Sequence, residues 1–322
     1  MNAIGVDVGG TKIAAAVVSP GGEILNEVRY PTQAVPPDRL IDTIAGAITE
    51  VKDGFEVGAV CLAVPGLIMA SVNTVIFSPN LHEIENIRLD EAIGSRTGMR
   101  VTVENDANAA AWGEFRFGAG KDVEHQVFIT LGTGVGGGVI THGVLLRGAQ
   151  GAGGELGHVT LDPDGPVCGC GNHGCLEALA SGTAIGRRAR DVANERPNSA
   201  LGRLAVERQV LGEDVTGLAR DGDEAALYVM EATGRWLGIG LAGFVNVFNP
   251  EVIAVGGGVS RAGELVLEPA RKEVYLRARS PSRDLVDIKE ATLGPASGVL
   301  GAAALARGED GEYVLGPSRR VT

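Results

Sequence analysis

The chain has 322 residues, enough for two domains or one domain in two lobes, and its 44% hydrophobic and 21% charged residues are typical of globular proteins. A net charge of −12 without any Lys/Arg run excludes a general nucleic-acid binder, although glycine-loop amides and a metal ion can still bind a nucleotide. No apolar run approaches the roughly 18–20 residues that a membrane span requires. An apolar strand begins at Ala3 where a secretory leader would need a basic segment, so we expect a cytoplasmic protein without nucleic-acid or membrane partners.

The first 120 residues predict alternating strands and helices. Residues 37–52 carry apolar side chains at helical spacing, and a second helix is expected from about residue 106. Short apolar runs bounded by glycine or polar residues predict the strands between them. These predicted strands are 3–8, 13–18, 23–30, 57–64 and 99–104.

The second half of the chain repeats the opening pattern. Strand 126–131 is followed by a predicted glycine turn over 132–138 and a strand from Val139 onward, which indicates an internal duplication into two related α/β lobes with a cleft between them. The remaining predictions are an irregular segment at 162–175, mostly helix over 183–247 with interruptions around 195–200 and 212–223, a strand at 252–255 that leads into a helix, and a helix at 295–307.

A glycine turn near the amino terminus is a candidate phosphate loop. Gly9 and Gly10 let backbone amides approach phosphate oxygens, and Thr11 and Lys12 can donate to the same oxygens. Asp7 precedes the turn on a strand and can hold Mg²⁺ directly or through water. A plain hairpin with a Gly-Gly turn explains the same residues, and the spacing is not that of a Walker A loop.

Two further glycine runs follow apolar strands. Thr133 and Gly134 lie in the second loop, which is a second candidate phosphate contact or a flexible turn. Gly256 and Gly257 begin the third, where a base or ribose can lie against bare backbone. The three loops in this order resemble the actin-like ATPase superfamily, which includes hexokinases. That resemblance implies a two-lobed, ribonuclease H-like fold in which the first two loops touch phosphates and the third touches adenosine.

Asn105 and Asp106 stand where a predicted strand becomes a helix. Asn and Asp are common at helix starts, so a local capping role is one interpretation. A carboxylate at the end of such a strand also faces the cleft of an α/β sheet, where it can accept a proton from a hydroxyl that attacks the γ-phosphate of ATP. Asn105 can exchange hydrogen bonds with neighbouring hydroxyls. We therefore predict Asp106 as the catalytic base.

Three clustered cysteines suggest a metal site. Cys168, Cys170 and Cys175, with His158 as fourth ligand, would form a Cys₃His set, the usual form of a structural zinc site. His173 lies inside the cluster and is a rival ligand, but choosing it would leave His158 without a role. The irregular segment has little apolar content, so a metal would explain its order. The fourth cysteine, Cys61, lies in an apolar run and is interpreted as a core thiol.

Glu155 and Glu177 flank the cysteine cluster. Exposed surface charge is one interpretation of both. Carboxylates can also accept hydrogen bonds from adjacent sugar hydroxyls, which would otherwise lose their partners on burial. Their place on either side of a metal-ordered loop favours the second interpretation.

These motifs together resemble the ROK family (repressors, open reading frames, kinases) and, within it, the bacterial ATP-dependent glucokinases. The resemblance covers nearly the whole chain and is most specific in Gly-Glu-x-Gly-His and Cys-x-Cys-Gly-x-x-Gly-Cys-x-Glu. It implies glucose and Mg²⁺–ATP as substrates, structural Zn²⁺, and a homodimer or homotetramer. It also implies a small domain of residues 1–118 plus about 296–322 and a large domain of residues 119–295. The implied sugar contacts are Asn105, Asp106, Glu155, His158 and Glu177.

The expected reaction is phosphorylation of the 6-hydroxyl of D-glucose. A kinase for N-acetylmannosamine, N-acetylglucosamine or fructose is the main alternative, and polyphosphate is an alternative donor. A sugar-sensing repressor of the same family would carry an N-terminal helix-turn-helix domain, for which the phosphate motif at residue 5 leaves no room. A zinc-bearing binding protein without chemistry is the last alternative.

Overall fold

The computed structural model describes residues 1–32, 36–69, 74–78 and 81–308, which form two five-stranded sheets, a short hairpin and surrounding helices. The strands are β1 (Asn2–Val8), β2 (Lys12–Val18), β3 (Ile24–Pro31), β4 (Val57–Val64), β5 (Leu67–Met69), β6 (Thr74–Phe77), β7 (Val101–Asn105), β8 (Gln126–Leu131), β9 (Val135–Thr141), β10 (Val144–Leu145), β11 (Val252–Gly256) and β12 (Asp287–Glu290). The α-helices are α1 (Pro37–Lys52), α2 (Leu89–Thr97), α3 (Asp106–Phe117), α4 (Leu176–Ala180), α5 (Gly182–Glu195), α6 (Ala200–Glu207), α7 (Gly212–Arg220), α8 (Glu224–Phe248), α9 (Glu264–Arg277), α10 (Ser282–Leu285) and α11 (Ser297–Ala306).

The two large sheets have the same topology. The first runs β3-β2-β1-β4-β7 and the second β10-β9-β8-β11-β12. In each, the first three strands in chain order form an antiparallel meander, and the last two join in parallel beside the first strand. Parallel pairs need a crossover helix, and strands in the middle of such sheets are buried on both faces, which explains the nearly continuous apolar sequences of β4, β8 and β11. The predicted duplication is therefore confirmed.

In the first sheet, side-chain size differs between the two faces. Ile4 and Val6 pack with Ile44 and Ile48 of α1, whereas Ala3 packs on the opposite face with the helices α3 and α11. Small residues on that face let the helices come close, and a Cβ added at Gly5 would lie 1.9 Å from the carbonyl oxygen of Val299 in α11.

Helices α3 and α11 form a layer between the sheets, because one hydrophobic cluster joins them to both. Their backbones nearly touch, since a Cβ at Gly301 would lie 1.7 Å from the carbonyl oxygen of Ala109. The buried carboxylate of Glu114 in α3 accepts hydrogen bonds from the N–H groups of Ala119 (2.9 Å), Thr292 (3.0 Å) and Leu293 (2.8 Å). One side chain thus holds both segments that connect the sheets.

We propose that the domain boundaries lie in these connecting segments, near residues 118 and 296. The part of the predicted small domain beyond residue 308 lies outside the described residues. None of the described helices combines the length and apolar character that a membrane crossing requires.

The predicted turn over 132–138 is wrong at its carboxyl half, because β9 already begins at Val135. Its three glycines are strand residues that let helices pack closely: a Cβ at Gly138 would lie 2.5 Å from the Cβ of Ala111, and one at Gly137 would lie 2.8 Å from Leu156. Glycine runs also serve close packing, which a sequence does not distinguish from a turn.

The predicted interruption at 212–223 is also wrong in part, because α7 occupies most of it. Its glycines and charged residues hide an amphipathic pattern that buries Val215 and Ala219. Elsewhere the predicted elements agree with the structure within about two residues, the usual disagreement at element ends. The sequence does not predict the short elements β5, β6, β10, β12, α2, α4 and α10.

Candidate active site

Asp106 is the first residue of α3, directly after β7. Asn105 caps the helix, since its side-chain oxygen accepts from the N–H of Asn108 at 3.0 Å and its amide nitrogen donates to the carbonyl of Gly66 at 3.1 Å. The Asp106 carboxylate accepts from the Ala107 N–H at 2.8 Å. Burial raises the pKa of Asp106 more than these local hydrogen bonds lower it. The carboxylate is thus fixed in place and is a stronger base than an exposed aspartate.

Two cavities meet at Asp106. One of about 420 Å³ is lined by Asp7, Lys12 and the third glycine loop, and one of about 500 Å³ is lined by Asn105, Glu155, His158 and Glu177. Asp106 borders both cavities, together with Ala107 and Thr130. A group bound in the first cavity and a group bound in the second can therefore meet beside the Asp106 carboxylate.

The first cavity combines an acidic and a basic side chain. Burial raises the pKa of Asp7 to about 6, the charge of Asp106 adds to this, and Lys12 opposes it. Gly257 has a φ of +88°, and a Cβ there would lie 2.3 Å from the carbonyl oxygen of Leu131, so only glycine fits. The turn residues Gly9, Gly10 and Thr11 form a tight connection, with the Gly9 N–H bonded to the Lys12 carbonyl at 2.9 Å, and they are not among the cavity-lining residues.

A third cavity, of about 860 Å³, continues from the first, since Gly258 and Arg261 line both. Helices α5 and α7 form its walls, and the predicted loop residue Thr133 lies on its rim, where its carbonyl accepts from the Thr183 hydroxyl at 2.8 Å. The sequence does not predict the wall residues Arg187, Arg190 and Arg220, because arginines on amphipathic helices have no distinctive local pattern.

The second cavity has two walls of different construction. We name Asn105 and Asp106 the α3 wall, and Glu155, His158 and Glu177 the cysteine wall. Burial raises the pKa of Glu155, and Asp106 and Glu177 raise it further against the effect of His158. Glu177 accepts from the Val135 N–H at 3.0 Å.

Gly134, predicted to touch phosphate, lines the second cavity and not the first. A Cβ there would lie 2.3 Å from the Glu177 carboxylate, so glycine at this position makes room for that side chain. The approach of a carboxylate to bare backbone is a tertiary feature that the glycine spacing does not reveal.

Behind the cysteine wall, four potential metal ligands converge. Ligand atoms of His158, Cys168, Cys170 and Cys175 all lie within 4.8 Å of one another, with His158 Nδ1 3.6 Å from Cys168 Sγ. The rival His173 lies outside this group, with its Nδ1 3.0 Å from the Gly165 carbonyl oxygen. This donor set and its compactness fit a tetrahedral zinc ion.

The three thiols are perturbed in different directions. Burial raises the pKa of Cys168 to about 12 and also raises that of Cys175, whereas the backbone N–H of Asn172 lowers the pKa of Cys170. A metal ion bound there would displace protons from these thiols, because the thiolate is the ligand. His158 has its Nδ1 at the cysteines and its Nε2 3.9 Å from the Glu155 carboxylate, so one ring joins the cluster to the cavity.

A duplicated α/β core, with two cavities that meet between its halves and a third that opens from the first into the second half, defines a two-lobed protein of the actin-like ATPase fold. The chain belongs to the ROK family, whose profile matches residues 3–309.

The chain is 42% identical to a glucokinase of Streptomyces coelicolor over 313 residues, which cover 95% of this chain and 98% of that protein. It is 35% identical to an N-acetylmannosamine kinase of Escherichia coli, over 96% of this chain and 99% of the relative. Among solved structures, a ROK family glucokinase from Streptomyces griseus in complex with glucose and AMPPNP superposes with a TM-score of 0.83 at 41% identity, covering 96% of this chain and 100% of that one.

Proposed function

We propose that this protein is a glucokinase that transfers the γ-phosphate of ATP to the 6-hydroxyl of D-glucose. The observation that carries the proposal is the position of Asp106 between two cavities. One is lined by Lys12 and glycines, which suit phosphate, and the other by carboxylates, an amide and a histidine, which suit the hydroxyls of a sugar. The similarity to glucokinases over nearly the full length of the chain supports the same activity.

In this proposal Asp106 is the general base. Its carboxylate accepts the proton of the 6-hydroxyl as that oxygen attacks the γ-phosphorus, while the bond from phosphorus to the β,γ-bridging oxygen breaks and ADP leaves. The raised pKa of Asp106 makes it a better proton acceptor than an ordinary aspartate. Asn105, Glu155, His158 and Glu177 hold the other hydroxyls, so that the 6-hydroxyl is the one left facing Asp106.

ATP would bind with its phosphates in the first cavity and its adenosine toward the third. Lys12, Gly256 and Gly257 line the first cavity, and Thr133 and Gly258 border the third. In this proposal the third glycine loop is therefore nearer the phosphates, and Thr133 nearer the adenosine, than the family resemblance implies. Mg²⁺ enters with ATP as part of the substrate, and Asp7 would hold it directly or through water. Gly9, Gly10 and Thr11 would contribute by shaping the turn that presents Lys12.

We also propose that His158, Cys168, Cys170 and Cys175 hold a structural Zn²⁺. With four protein ligands the site has no open position for water, so the ion would order the cysteine wall and take no part in the chemistry. A cytoplasmic location is consistent with this, because reduced thiols persist there. We propose a homodimer or homotetramer from the resemblance to the family.

A coupled assay of ADP release tests this function across glucose, mannose, fructose, N-acetylglucosamine and N-acetylmannosamine, with ATP or polyphosphate as donor. We expect ATP and glucose to give the highest kcat/KM. The 35% identity to an N-acetylmannosamine kinase makes that sugar the second candidate. A higher kcat/KM for N-acetylmannosamine would change the proposed substrate and leave the proposed mechanism as it is. ADP release that no sugar stimulates would reject the proposal of a sugar kinase.

A further inference from the structure

An ion pair joins the two sheets beside the second cavity. Arg147, just after β10 of the second sheet, places its Nε 2.6 Å from Oε2 of Glu104, in β7 of the first sheet. The two side chains are only 23% and 8% exposed. Such a charge-assisted bond, largely shielded from water, is stronger and more rigid than a surface pair.

Glu104 is bonded to the α3 wall through its other oxygen. Oε1 accepts from the Asn105 N–H and from the Asn108 side-chain amide, both at 3.0 Å. The first bond fixes the backbone one residue before Asp106, and the second fixes the first turn of α3. The orientation of the proposed base therefore depends on where Glu104 is held.

Arg147 is bonded through its backbone to the loop that leads into the cysteine wall. Its carbonyl accepts from the Gly153 N–H at 2.8 Å, and Leu146 before it donates to the Val139 carbonyl at 2.8 Å. Gly153 and Gly154 line the second cavity directly before Glu155. One arginine thus connects both walls of the proposed sugar site without lining the cavity itself.

We propose that Arg147 is a positioning residue for the sugar: through Glu104 it sets the distance between the α3 wall and the cysteine wall. This inference rests on the proposed sugar-kinase function and deepens it. A sugar held on one side by Asn105 and on the other by Glu155 is bound well only when the two walls keep one separation. The nucleotide cavities do not include Arg147, so ATP binding should be independent of it.

The test compares Arg147→Met, Arg147→Lys and Arg147→Met/Glu104→Gln with the wild-type enzyme. The double variant removes the buried charge that Arg147→Met would leave without this partner, and it keeps the test valid if the single variant folds poorly. Arg96→Met is the matched control, because Arg96 Nε also lies 2.6 Å from a carboxylate, that of Asp42, on the surface of α1 and α2.

For Arg147→Met we expect the KM for glucose to rise about tenfold or more, as for loss of a charge-assisted hydrogen bond, with the KM for ATP within about twofold of wild type. Arg147→Lys should recover part of the loss, since it restores the charge but not the planar fork. The double variant should show the same glucose-specific loss, and Arg96→Met should show none.

A glucose KM within twofold of wild type in both Arg147→Met and the double variant would overturn the inference. So would a parallel rise in both KM values together with a lower Tm, which is the sign of a purely structural role. Wild-type turnover in the same assay separates the two proposals: no turnover with any sugar overturns both, whereas normal turnover with an unchanged KM in the variants overturns this one alone.

Discussion

The two walls of the second cavity obtain their order in different ways. The α3 wall is built from regular structure. Strand β7 ends at Asn105, whose side chain caps α3, and the Asp106 carboxylate accepts a hydrogen bond from the Ala107 N–H. The cysteine wall lies on two short helical turns that flank the irregular segment 162–175: Glu155 and His158 are at the turn over Leu156–His158, and Glu177 is in α4. The buried cluster at this place is small and consists of Cys168, Cys175 and Ala178. The first wall carries the proposed chemistry and needs no cofactor for its shape, whereas the second would depend on the zinc ion that we propose behind it.

The largest expected effect of a single substitution lies on the α3 wall. Replacing Asp106 by Asn keeps the shape and removes the proton acceptor, so kcat should fall by about 10²–10⁴, the usual loss for a general base. Because burial opposes ionisation of this carboxylate, the neutral side chain should leave Tm unchanged or raise it. Steady-state kinetics and thermal unfolding test both expectations, and near-normal turnover would remove Asp106 from its role.

The cysteine wall should respond in the opposite way: substitutions there should lower stability and glucose affinity and should leave the proposed base intact. Replacing Cys175 by Ser removes a proposed ligand, so zinc affinity should fall by more than the roughly 10–100-fold that loss of an outer-shell partner costs, and Tm and glucose affinity should fall with it. Metal analysis, unfolding and glucose titration measure these changes.

Cys61→Ser is the control for this prediction, because that buried thiol in β4 lies outside the cluster and its loss should leave the zinc content unchanged. Wild-type Tm and glucose affinity after complete removal of metal by a chelator would show that the cysteine wall needs no ion.

The pH dependence of kcat/KM for glucose separates the walls further. Asp106 must be ionised to accept a proton, so activity should fall about tenfold per pH unit below its pKa, which burial places above the ordinary aspartate value of about 3.9. Asp7, whose pKa is raised to about 6, must also be ionised to hold Mg²⁺ as proposed, so two carboxylates contribute to the acid limb. Glu155→Gln should leave both contributions in place, whereas Asp106→Asn should remove one of them and make the limb of the residual activity less steep. A limb of unchanged steepness in Asp106→Asn would assign the second contribution to another group.

The smallest expected effect concerns the helix cap. Asn105→Ala should cost about 1 kcal/mol of unfolding free energy, as lost N-caps do, and should also raise the KM for glucose. Ser199→Ala removes the comparable cap of α6, where the hydroxyl accepts from the Gly202 N–H at 2.9 Å. Neither Ser199 nor any residue of α6 lines one of the three cavities. If both variants lose the same stability and only Asn105→Ala raises the KM for glucose, Asn105 both caps the helix and contacts the sugar. If neither variant changes the KM for glucose, Asn105 only caps the helix.

The sequence predicts elements well where local pattern decides them. Helix α1 runs over 37–52 as expected, because one apolar face repeats at helical spacing and packs on the first sheet. Asp106 and the four potential metal ligands could be found because each lies in a short, chemically unusual segment.

What the sequence did not reveal depends on contacts between distant segments. The glycines of β9 were predicted as a turn because the helix that packs on them is remote in sequence. The role that we propose for Arg147 cannot be predicted from the sequence, because its partner Glu104 is 43 residues away along the chain. The walls of the third cavity come from helices whose mutual position only the fold determines.

The central claim is that Asp106 joins a phosphate cavity to a sugar cavity, and a single-turnover experiment followed by phosphorus NMR tests it most directly. With Mg²⁺–ATP and glucose, the wild-type enzyme should convert the γ-phosphate to a glucose 6-phosphate resonance in step with ADP, and Asp106→Asn should form almost none in the same time. Equal product from the variant, or release of inorganic phosphate in place of the sugar phosphate, would contradict the account.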